Sequence, residues 1–159
     1  MSRARGTTQF EMSLDVSPFL RACEETKEAI AEDIRPAAHA GGTLIYEAVK
    51  AATPVGPLPQ HWFHGANRAY LFHQGDLRRS IYIAFSKDNS SDYKATYHIS
   101  WRVRGEKGVP YGYMVHNGTS HARANPFVYN GVNASREAAL DESLKAMMES
   151  LTKKGWFAP

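Results

Sequence analysis

The sequence predicts an α+β fold. A long helix opens the folded part, β-rich segments occupy the middle, and an amphipathic helix closes the chain. Elements segregated in this order favour an antiparallel sheet with helices packed against it. The expected form is a long N-terminal helix kinked or broken near residues 36–42, a sheet of three to four antiparallel strands, and a C-terminal helix on that sheet. The chain has 159 residues, enough for one ordinary domain and too few for a two-domain enzyme of usual size. Its expected organisation is a flexible arm at 1–13, a domain at 14–152 with an inserted loop at 56–74, and a tail at 153–159.

Each element has a local reason. Ser17 is a good N-cap, Pro18 loses no needed donor at the first helical position, and Glu24, Glu25 and Glu28 suit the positive end of a helix dipole. Phe19, Cys23, Ile30 and Ile34 then recur at helical spacing. Pro36 and Gly41-Gly42 interrupt that pattern, and a further stretch from 43 to 52 presents Ile45, Ala48 and Val49 on one face. Residues 53–61 hold three prolines and read as a loop. The aromatic and histidine-rich stretch 61–74 continues it. Residues 81–85 and 93–103 read as strands, the second carrying Tyr97, Ile99, Trp101 and Val103 on one parity. Residues 111–116 read as a third strand, ended by the turn signal Asn117-Gly118. The last helix, over 132–151, offers Ala134, Ala138, Leu140, Leu144, Met147, Met148 and Leu151 as core candidates.

Composition narrows function. The hydrophobic fraction is 43% and the charged fraction 22%, ordinary globular values that argue against wholesale disorder. A mean hydropathy of -0.45 points to a modest core under a large polar surface. The single cysteine, Cys23, excludes an intramolecular disulfide and a cysteine-rich zinc site. No apolar run has the length of a signal peptide or membrane span, so a soluble protein made in the cytoplasm is expected. The formal charge of +3 is unevenly spread. Residues 60–125 hold nine basic and four acidic side chains, and the remainder holds ten basic and twelve acidic.

Three chemistries fit parts of the chain. His61 with His64, and His116 with His121, are pairs that a metal ion would need to supplement with further ligands, and neither HExxH nor CxxC is present. His116, Asn117, His121 and Arg123 are residue types a nuclease or small hydrolase uses, without a nucleophile–base pair or a carboxylate cluster beside them. The basic middle segment, with Arg102, Arg104 and Lys107, suits salt-sensitive contact with phosphates.

A more specific signal lies in the order of short motifs: Ala-Thr-Pro-Val at 52–55, Gly-Asp-Leu-Arg-Arg-Ser-Ile at 75–81, Tyr-Gly-Tyr-Met-Val-His-Asn-Gly-Thr at 111–119, Ala-Asn-Pro-Phe at 124–127, and a terminal helix. This series resembles the tail-completion family of long-tailed bacteriophages, the neck or head–tail joining proteins also termed minor tail components. The matching residues are Pro54, Val55, Gly75, Leu77, Arg78, Ser80, Ile81, Tyr111, Val115, Gly118, Thr119, Pro126 and Phe127. The resemblance spans about residues 15–150 and departs from the family in two places. One is the insertion 56–74; the other is His116-Asn117, where the family carries a glutamate before Gly-Thr.

The resemblance implies a non-enzymatic virion protein without cofactor or metal. It implies a homo-oligomeric ring, six subunits by analogy, between a head-closure protein and a tail terminator, around a channel for DNA. A tail terminator of the same junction and a nucleic-acid-binding module are the alternatives. The apolar groups expected at subunit or partner contacts are Phe10 in the arm, Trp62, Phe63, Tyr70 and Phe72 in the insertion, and Trp156 and Phe157 in the tail. Arg102, Arg104 and Lys107 are the residues expected to face DNA.

Overall fold

The computed structural model describes residues 15, 17–64, 69–105 and 108–156. The architecture is α+β, as the sequence predicts. Helix α1 (Ser17–Ala52) is followed by strands β1 (Gln60–His64) and β2 (Ala69–His73), the short helix α2 (Asp76–Ser80), strands β3 (Ile81–Phe85) and β4 (Tyr97–Trp101), helix α3 (Gly112–Asn117) and helix α4 (Phe127–Lys153). The strands form two separate antiparallel pairs, β1–β2 and β3–β4, in place of the single sheet expected. β3 and β4 pair from Ile81↔Trp101 to Phe85↔Tyr97.

The frame is an antiparallel pair of long helices. α1 buries Ala29, Asp33, Ala37, Gly41 and Val49, with half-buried Ile45 completing a row at strict four-residue spacing. α4 presents the matching row Phe127, Gly131, Ser135, Ala139, Ser143, Met147 and Leu151. Rows at i, i+4 are the ridges by which helices interlock. Small residues bring the axes together. A Cβ on Gly41 would lie 2.3 Å from the Ala139 carbonyl oxygen, and one on Gly131 would lie 2.5 Å from Val49 Cα. The serine hydroxyls in the α4 row bond back to their own helix, Ser135 to the Gly131 carbonyl and Ser143 to that of Ala139.

α1 is continuous, which corrects the break expected near residues 36–42. Pro36 lies inside it, and Gly41 and Gly42 serve packing. Gly41 admits α4, while a Cβ on Gly42 would come 3.1 Å from Ile83 Cδ1 of β3. Around this point Arg35 lies over the Phe85 ring, 4.2 Å from its centroid, and the His39 and Tyr97 rings meet edge to face.

Four further expectations change. The stretch within 56–74 expected to be loop contains the β1–β2 hairpin. The strand expected over 111–116 is helix α3: the same residues then place Tyr111 and Val115, four apart, on the core side and leave Tyr113 and Met114 exposed. The strand expected over 93–103 forms only at 97–101, so Val103 lies beyond it and is exposed. In α4, Ala134, Ala138, Leu140, Leu144 and Met148 face outward. The close approach of α1 reserves the middle of the row, 131–143, for small side chains, and Leu140, Leu144 and Met148 fall one position aside from the row.

The core is built from Val49, Phe72, Leu77, Ile81, Val109 and Phe127, with Ile45, Trp101, Tyr111 and Val115 among the residues packed around it. Phe127, fully buried, meets Trp101 and His116 through its ring.

Candidate interaction surfaces

The residues of the motif series converge at the C-terminal end of α1. Thr53 ends the helix with its hydroxyl on the Val49 carbonyl, 2.7 Å away. Its own carbonyl accepts from Arg78 Nη2 at 2.8 Å, tying the Pro-Val loop to α2. Gly75 enters α2 at φ 81, a left-handed conformation that favours glycine. Leu77 then enters the core, and the buried Ser80 hydroxyl bonds the Leu77 carbonyl at 2.7 Å. The Ser80 carbonyl receives the Arg102 N–H.

The later motifs are joined likewise. The Asn125 N–H donates to the Val115 carbonyl at 2.9 Å. The Thr119 hydroxyl accepts from the N–H groups of His121 and Ala122. Gly118 ends α3 at φ 79, with a Cβ there 2.7 Å from the Ala124 nitrogen. Pro126 precedes Phe127 at the start of α4. Pro54 is half-buried and Val55 exposed, and with Leu58, Gly75 and Val115 they line a mostly apolar groove of about 610 Å³.

The hairpin alternates cleanly. His61, Phe63, Tyr70 and Phe72 point inward and form an aromatic cluster with Tyr111; the Phe72 and Tyr111 rings meet at 4.8 Å. Burial pushes the Tyr111 hydroxyl up to about 12, with the Asp76 charge a lesser cause. Gln60, Trp62 and His64 face outward, and Trp62, 61% exposed, stands opposite exposed Leu71. Of the proposed contact residues in this stretch, Trp62 is therefore presented to solvent, Phe72 is buried, and Phe63 and Tyr70 are half-buried. Trp156 is half-buried beyond α4; Phe10 and Phe157 lie outside the described residues. A second exposed apolar row, not singled out from the sequence, runs along α4 at Leu140, Leu144 and Met148. Its four-residue spacing was its available signal, and the core reading absorbed it.

Beside the hairpin lies a cleft of about 780 Å³ lined by Tyr46, Lys50, Tyr70, Arg78, Arg79 and Asp76 among others. Asp76 accepts the His73 N–H at 2.6 Å and pairs with Arg79. Partial burial acts to raise its carboxyl, and these two donors overcome that and hold it below the usual range. Lys50 packs on the Tyr46 ring at 4.8 Å and is 3.5 Å from Glu47. Arg78 Nε is buried without a hydrogen-bond partner. Arg102 and Arg104 are exposed nearby in sequence, with Gly105 and Gly108 on the cleft wall; Lys107 lies outside the described residues.

The histidines do not gather. His61 packs on Phe72 and Tyr111, His116 lies between Trp101 and Phe127, and His64 and His121 are exposed. Among the described residues no three His, Cys, Asp or Glu side chains are grouped to hold a metal ion. Among them, too, no helix is long and apolar enough to cross a membrane. No family model, curated protein or solved structure matches the chain.

Proposed function

We propose that this chain is a structural subunit of a tailed-phage neck, a tail-completion protein that works by binding its neighbours and not by catalysis. The order of the motifs supports this, together with the structural work their residues do: Thr53 to Arg78, Ser80 to Arg102 and Val115 to Asn125 are backbone-anchoring bonds. The observation that carries most weight is the presence of two different exposed apolar patches. Trp62 and Leu71 lie on the hairpin, and Leu140, Leu144 and Met148 lie on α4. A closed ring with one subunit type uses two unlike patches, each docking against the other next door. The subunit would join head-closure protein to tail terminator in the virion, with six copies by analogy, after synthesis in the host cytoplasm.

The test is the mass of the purified full chain in solution together with images of the particle neck. A ring of defined number at the junction is expected, and a persistent monomer absent from particles would overturn the reading. The exposed Arg102 and Arg104, close in sequence to Gly105 and Gly108 of the basic cleft, favour a nucleic-acid-binding module as second reading. It predicts strongly salt-dependent affinity for duplex DNA, lost with Arg102→Ala and Arg104→Ala. A tail terminator at the same junction would separate from these by its position in the images.

A further inference from the structure

The start of α1 is acidic, and a cleft with a basic excess adjoins the other end of the same helix. Residues 15–33 hold six acidic side chains, Asp15, Glu24, Glu25, Glu28, Glu32 and Asp33, against Arg21 and Lys27. Lys154 neutralises part of this by reaching Glu32 and Asp33 at 2.9 and 3.0 Å. That contact also marks where α4 finishes alongside α1. From it α1 runs on toward its start for 15 residues, about 22 Å. Glu24, Glu25 and Glu28 are exposed on this extension, and none is in an ion pair among the described residues.

The opposite end of the same helix forms one wall of the cationic cleft, through Tyr46 and Lys50. Lys50, Arg78 and Arg79 outnumber Asp76 there, the exposed Arg104 immediately precedes Gly105 of the cleft wall in the chain, and the buried Arg78 Nε lacks an acceptor. Tyr46, Tyr70 and Leu71 give the cleft an apolar wall as well, a combination suited to an amphipathic acidic helix. Glu28 and Lys50 are 22 residues apart on one rigid helix, about 33 Å, so the extension cannot fold back into its own cleft.

We infer that the acidic start of α1 docks in the cationic cleft of a second copy of this chain, making a head-to-tail contact. The inference rests on the ring reading above and adds which surfaces meet and with what polarity. Because the contact leaves the joined pair with one free end of each kind, it propagates until a rotation closes it. Its charges steer association and fix the direction of the chain of subunits, and salt weakens it.

The experiment uses two full-length charge-reversed variants. One carries Glu24→Lys, Glu25→Lys and Glu28→Lys; the other carries Arg79→Glu and Arg104→Glu. Circular dichroism checks their folding, and a variant with Arg104→Glu alone spares the Asp76 pair if the double change unfolds α2. Mass is measured by sedimentation at low and high salt. Each variant alone is expected to associate at least about tenfold more weakly than the unaltered chain, and the two mixed are expected to associate again. Folded variants that keep the unaltered mass would overturn the contact while leaving the ring reading standing. A monomeric unaltered chain would overturn both. Loss of affinity for a short DNA duplex in the cleft variant, with oligomer mass unchanged, would assign the cleft to nucleic acid and overturn the contact.

Discussion

Phe127 occupies the point where α4 begins, packed on Trp101 and His116 with none of its surface exposed. Phe127→Ala leaves a cavity under both long helices, and a loss of about 3–5 kcal/mol in urea unfolding is expected. Gly41→Ala works in the opposite sense. Alanine is the better helix former by about 1 kcal/mol, yet the new methyl would lie against the Ala139 backbone oxygen. Overpacking costs about 1–3 kcal/mol, so net destabilisation is expected in the same measurement. Titration adds a third test. The Tyr111 hydroxyl is raised in the folded state, so folding favours its neutral form. This contribution is complete below the ordinary value of 10 and is lost as pH rises from there through about 12. Tyr111→Phe should flatten that alkaline limb in a stability–pH profile; an unchanged limb would exclude Tyr111 as its source. Asp76 behaves inversely. Its lowered carboxyl contributes fully above the ordinary value of 3.8, and the contribution disappears as pH falls through the folded value.

At the scale of elements, α1 shows how tertiary packing overrides a local signal. Pro36 is exposed and interior to the helix, where proline removes a backbone donor and crowds the preceding turn. Pro36→Ala is therefore expected to raise the melting temperature, by up to about 3 kcal/mol of added stability. A drop would mean that proline serves the helix in some other way. Ser17 and Pro18 located the start of α1 to within a residue, because capping is a local effect. Ser17 is itself the first helical residue, its N–H donates to the Asp15 carboxylate at 2.9 Å, and the glutamates from 24 onward lie beyond the first turn. The glycines at 41 and 42 were not readable as packing residues, since their contacts, Ala139 and Ile83, lie far along the chain. α3 was missed for a related reason. Tyr111 to His116 is short and apolar at both two- and four-residue spacing, and only its docking on Trp101 and the core decides between them. The β1–β2 hairpin was hidden by the prolines at 54, 57 and 59, although His61, Phe63, Tyr70 and Phe72 alternate as a paired strand should.

At the scale of the molecule, assembly is the property to measure. Deleting residues 1–13 or 155–159 is expected to weaken ring or neck formation and to leave the domain folded, as judged by circular dichroism and by mass. Particle assembly unaffected by both truncations would remove those segments from the interface. The purified chain is also expected to show no metal-dependent hydrolysis of DNA, and robust turnover abolished by His116→Ala would overturn the structural role. Among the candidate residues, those of the motif series were legible as turns and anchors because glycine, proline and serine act on nearby backbone. The outward row on α4 and the cationic cleft were not, because each is defined by what another element leaves uncovered.

The sequence by itself determined the class of fold, the start of α1, the identity of the turn residues and the basic excess over 60–125. These are consequences of local backbone chemistry and composition. Only the tertiary structure decided that α1 passes unbroken through Pro36 and two glycines, that Leu140, Leu144 and Met148 face outward, and that a cleft with a basic excess adjoins the end of α1 opposite its acidic start. The physical reason is the close antiparallel contact of α1 with α4. It gives the middle of the α4 row, 131–143, to glycine, serine and alanine, and it leaves Leu140, Leu144 and Met148 turned toward whatever the protein meets.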